Sequence, residues 1–100
     1  MAVVEISIVP LGTGSTSMSQ YVAACEKELR ENSTGLKYEL TAMGTIIEGD
    51  LDQIISLIRR LHEVPFRLGV ARVSTSIKID DRRDKNSSIS QKVKSVQDLL

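Results

Sequence analysis

One hundred residues carrying thirteen basic and thirteen acidic side chains make one domain, residues 1–100, without a net field to draw in nucleic acid or an anionic membrane. Three aromatics are too few to stack successive bases, and a single cysteine, Cys25, excludes an intrachain disulfide and a cysteine zinc cluster. No apolar run approaches the length of a membrane span and no secretory pattern precedes the first strand, so a cytoplasmic protein is expected.

Val3 to Val9 alternates, with Val4, Ile6 and Ile8 on one face and Val3, Glu5, Ser7 and Val9 on the other. This is a half-buried strand, and Pro10 is expected to end it. Leu11 to Ser17 is a Gly/Ser/Thr loop before a helix that Ser17 or Ser19 can cap. Its backbone N–H groups suit an anion, but the lysine of a phosphate loop is missing, and a flexible connection explains it as well. Met18 to Asn32 reads as a helix, with Tyr21, Val22, Cys25 and Leu29 inward and Glu26, Lys27, Glu28, Arg30 and Glu31 outward. Leu36 to Thr41 alternates as a second strand, Thr41 to Gly44 turns, and Thr45 to Glu48 returns antiparallel.

Asp50 opens a second helix whose stripe is Leu51, Ile54, Ile55, Ile58, Leu61 and His62, reaching Phe66 past Pro65. That proline predicts a kink or an early end. Ala71 to Asp80 is the last strand, with Val73, Thr75, Ile77 and Ile79 sharing a face. A charged loop, Asp81 to Ser88, leads to a short helix capped by Ser88 or Ser90 and carrying Val93, Val96, Leu99 and Leu100.

The order βαββαβ predicts an α+β, ferredoxin-like fold: a four-stranded antiparallel sheet with two helices on one face, plus a short C-terminal helix. Right-handed crossovers put the first and third strands at the centre and the second and fourth at the edges. The opposite sheet face is then bare, which predicts self-association as a dimer or tetramer. The mixed charges from Lys78 to Lys85 suit reciprocal ion pairs between subunits, or simply a solvated loop.

Three polar residues sit where apolar ones are expected: Glu48 ending the third strand, His62 on the helix stripe, and Thr75 between Val73 and Ile77. Each has a plain explanation: a strand-end carboxylate reaching water, a satisfied imidazole, and a β-branched residue bonded to backbone. Together they would line a polar hole that a ligand fills. The face used by Glu48 is open, because Ile46 and Ile47 are both apolar. Catalysis is not expected: nothing places a nucleophile beside His62, and His62-Glu63 lacks the second histidine of a zinc-protease helix.

Val9-Pro10-Leu11-Gly12-Thr13-Gly14, Tyr38 through Gly49, Leu61-His62-Glu63 and Arg72 through Arg82 together resemble the small thiamine-binding protein family, single-domain relatives of the tandem YkoF thiamine/hydroxymethylpyrimidine-binding proteins. The resemblance covers nearly the whole chain. It implies a ferredoxin-like fold, assembly as dimers of dimers, and binding of thiamine or its pyrimidine precursor without chemistry. Its motif positions fall on Gly12, Thr45, Glu48, Gly49, His62, Arg72, Thr75 and Arg82. The expected ligand-binding set is Thr45, Glu48, His62, Thr75, Ser7 and Gly12, with no catalytic residue, metal or cofactor. The alternative is an oligomeric structural or regulatory protein whose open sheet face binds a protein partner.

Overall fold

The alternation of the first segment becomes β1 (Ala2–Leu11), which buries Ala2, Val4 and Ile6 on one side. In the computed structural model, which describes residues 1–14, 18–84 and 89–100, it is followed by α1 (Ser19–Asn32), β2 (Lys37–Thr41), β3 (Gly44–Gly49), α2 (Leu51–Arg67), β4 (Arg72–Asp81) and α3 (Ile89–Leu99). The sheet is antiparallel in the order β2-β3-β1-β4, as the crossover rule requires.

Pro10 departs from the local expectation, which ends the strand there. Pro10 lies inside β1, opposite Val73 of β4. β3 pairs with β1 only as far as Ile6↔Thr45, so β1 is bonded on one side where the proline occurs. Pro65 lies inside α2, which runs on to Arg67. A helical proline strips the carbonyl four residues earlier of its donor. That carbonyl belongs to Leu61, and the Cys25 thiol of α1 approaches it at 4.0 Å.

Asp50 caps α2 as expected, its carboxylate accepting from the Gln53 N–H at 3.1 Å. The expected caps Ser17 and Ser88 lie outside the described residues. Ser19 is the first residue of α1, whose N-cap position holds Met18 without a side-chain bond. Ser90 falls inside α3.

The core joins Val4, Ile6 and Ile47 of the sheet to Leu29 of α1 and Ile54, Leu57, Ile58 and Leu61 of α2. Each such side chain contributes roughly 1.5–3 kcal/mol by leaving water. The α2 stripe is rotated from the expected one: Leu57 and Val64 are buried, and Ile55 faces out. The spacing 54, 57, 58, 61, 64 follows one helix face more closely.

α1 packs along α2 and makes little backbone contact with the sheet. Polar ties hold the helix pair: Arg60 donates to Asn32 Oδ1 at 2.7 Å, and Arg67 Nη2 lies 3.5 Å from Glu28 Oε2. The stand-off of α1 leaves room between helix and sheet.

The opposite face is not wholly bare. Val3 pairs with both Glu48 and Asp80, so strand alternation puts those two carboxylates on that face. α3 starts there: the Ile89 N–H donates to Glu48 Oε2 at 2.6 Å, and Lys92 pairs with Asp80. Beyond this foothold α3 has no buried residue, and Val93, Val96, Leu99 and Leu100 are exposed. In the charged loop the described residues pair locally, Arg82 with Asp84 at 2.6 and 3.1 Å and Arg83 with Asp81 at 2.9 Å. These bonds hold both guanidiniums above their ordinary pKa.

Candidate functional site

The gap under α1 is a cleft of about 420 Å³, within the usual range for small-molecule sites. Its sheet wall comes from β1 and β3. Ile6, Ile8 and Thr45 face the helices by register, and Leu40 of β2 pairs with Thr45. Its roof is the inner side of α1, with Tyr21, Val22, Cys25, Glu26 and Leu29, and Leu61 of α2 also lines it. The β2–β3 turn forms the rim. Thr41 Oγ1 donates to the Gly44 carbonyl at 2.8 Å and accepts from the Met43 N–H at 3.3 Å. That leaves the Met43 side chain exposed beside the opening.

Two groups in this largely apolar lining carry chemistry. Burial pushes the Cys25 thiol above its ordinary pKa; the smaller effects of Arg67, which lowers it, and Glu28, which raises it, oppose each other. Cys25 is therefore a neutral wall atom and not a thiolate. Glu26 is the second. Its Oε1 lies 3.8 Å from Arg30 Nε, one helical turn on and facing solvent. Its Oε2 is shut off from water and has no hydrogen-bond partner among the described residues. A buried carboxylate oxygen without a donor is unfavourable.

The charged run Glu26-Lys27-Glu28 predicts an outer face for Glu26, and the structure turns it to the cleft wall. A signal for the other assignment exists: it lies four residues after Val22 and three before Leu29, on the stripe those two define.

Of the expected ligand-binding residues, Thr45 and Ser7 border the cleft; strand alternation puts the Ser7 side chain on the far face, with Val3 and Glu5. Gly12 borders a neighbouring hollow that shares Tyr21 with the cleft. His62 Nδ1 and Thr75 Oγ1 share a hydrogen bond of 2.7 Å, and the His62 ring meets Phe66 edge-on with centroids 5.5 Å apart. That pair is internally satisfied and does not line the cleft. Glu48 lies on the other side of the sheet, buried at the start of α3 and 4.0 Å from Lys37 Nζ. The carboxylate, imidazole and two hydroxyls thus do not converge on one hole. The register explains this: Thr45 and Glu48 are three residues apart on one strand and must point to opposite faces.

Among the described residues no group of acidic, histidine or cysteine side chains is arranged to hold a metal ion, and no helix is long and apolar enough to cross a membrane.

Residues 4–97 match the sequence profile described as thiamine-binding protein. The UPF0045 protein YqgV of Bacillus subtilis is 44% identical, the match covering 100% of this chain and 98% of that one. The crystal structure of MJ1052 from Methanocaldococcus jannaschii is 41% identical, superimposes with a TM-score of 0.86, and is matched over 96% of this chain and 95% of that one. TM0486 of Thermotoga maritima shares the fold at 21% identity, with a TM-score of 0.75 over 95% of this chain and 97% of that one.

Proposed function

The chain belongs to the thiamine-binding protein family, and from that premise we propose that it binds thiamine or a related hydroxymethylpyrimidine in the cleft beneath α1, in the cytoplasm and without catalysing a reaction. The observation that carries this reading is the cleft itself: apolar walls suited to a flat heterocycle, with the Thr45 hydroxyl and one carboxylate at hand. Of the residues the sequence singled out, Thr45 is the one we assign to ligand contact. Ser7 and Gly12 shape the adjoining backbone. The role we give the His62–Thr75 pair is to fix the end of α2 against β4.

The test is thermal unfolding with and without thiamine and hydroxymethylpyrimidine. At a ligand concentration of 100 times Kd the folded state gains about 2.7 kcal/mol, a shift of several degrees or more in a domain of this size. Unmoved melting with either compound, at millimolar concentration, would overturn the reading.

A second part of the proposal concerns assembly. α3 presents Val93, Val96 and Leu99 to solvent, held to its own chain at the N-terminal end by Glu48 and Asp80. A stripe of this kind gains stability by covering apolar surface on a second copy of the chain. Light scattering is expected to give a mass that is a multiple of the 11.0 kDa protomer. Glu48→Ala, which removes the acceptor for the Ile89 N–H, is expected to weaken that assembly while leaving affinity for thiamine within about twofold, because it acts on the opposite face of the sheet. A monomeric wild type would refute the assembly. Collapse of thiamine affinity in a Glu48→Ala protein that stays assembled would return Glu48 to the site.

A further inference from the structure

We infer that the cleft selects by charge: it takes the unphosphorylated, amine-bearing or cationic form of its ligand and discriminates against phosphate esters, with Glu26 as the selecting residue. The inference rests on the thiamine-type reading above and sharpens it. Glu26 is the only charged residue lining the cleft among the described residues; no lysine, arginine or histidine lines it. Its side chain is 23% exposed, so part of the cost of removing the carboxylate from water has been met by folding. A ligand amine or cation placed beside it in the cleft is attracted to its charge in a surround that screens poorly.

A phosphate monoester carries close to two negative charges near neutral pH. In this cleft it would meet a carboxylate in an apolar surround that screens poorly. The neighbouring cation does not reverse that balance. Arg30 sits on the solvent side of Glu26, largely exposed, with its guanidinium drawn to Oε1. The Thr45 hydroxyl can donate to a phosphate, but without a cation it leaves the charge unmatched. The exposed apolar rim at Met43 and Leu40 likewise offers a phosphate nothing to pair with.

The experiment is calorimetric titration of the full chain with thiamine and with thiamine monophosphate, for the wild type and for Glu26→Gln. Wild type is expected to bind thiamine at least about tenfold more tightly than the monophosphate. Glu26→Gln keeps the shape and removes the charge. It should weaken thiamine by roughly ten- to a hundredfold, the scale of a hydrogen bond to a charged group, and narrow the gap between the two ligands. Equal or tighter binding of the monophosphate by the wild type would overturn the inference without need of any variant, and so would unchanged thiamine affinity in a folded Glu26→Gln protein. In both cases thiamine still binds, and the parent reading stands. Failure of the wild type to bind either compound removes the parent reading, and this one with it.

Discussion

Leu61→Ala is expected to lower the free energy of unfolding by about 2–5 kcal/mol, the range for deleting a buried leucine side chain. Leu61 is 1% exposed. It touches both halves of the molecule, since it belongs to the core shared by sheet and helices and also lines the cleft. Truncation would open the core into a space that already exists beside it, so collapse of the surroundings can recover little. A domain of this size has about 5–15 kcal/mol in total, so the variant should be folded but visibly weakened in urea. Thiamine binding should fall with it, because the wall under α1 is lost. A change below about 1 kcal/mol, the level of a minor surface substitution, would mean that Leu61 is not packed as described.

Gly44→Ala is expected to cost about 2–4 kcal/mol, combining a steric clash with backbone strain. A Cβ built on Gly44 would lie 2.6 Å from the Ile6 carbonyl oxygen, and its φ of +158° is one that residues with side chains rarely adopt. The oxygen cannot retreat cheaply, because Ile6 and Thr45 form the last pair of the β1–β3 ladder. Relief would come from lifting the β2–β3 turn, and that turn is the rim of the cleft. Urea unfolding measures the loss. A melting profile indistinguishable from wild type would show that the turn carries no such restriction.

The strands and the sheet order are legible in the sequence because alternation and crossover handedness are local and topological rules that little in the tertiary structure opposes. Pro10 does not end its strand because the rule about proline there concerns a ladder hydrogen bond, and β1 is paired on one side only at that point. α2 does reach Phe66 past Pro65, and ends at Arg67. The candidate site was harder. Glu48 follows two apolar residues, so its face depended on register, and pairing with Val3 sends it away from the helices. Its burial was foreseeable, but its partner, an amide in α3, was not. Glu26 was hidden by the opposite bias, since a run of charges reads as a solvated surface. His62 and Thr75 are legible as polar residues on apolar faces, and they bond to each other.

β1 is flanked in the sheet by β3 and β4, and its ladder with β4 runs from Ala2↔Asp81 to Leu11↔Arg72. On the ribosome, therefore, the strand at the centre of the sheet is made before either strand that flanks it. One of its edges stays open until β3 has emerged and the other until β4 has, and neither sheet partner is a sequence neighbour. Pairings between distant segments form slowly, and exposed edges in the interval invite association between nascent chains. The charge at Glu5 then has a use before the protein is folded: it helps to keep the waiting strand soluble during synthesis.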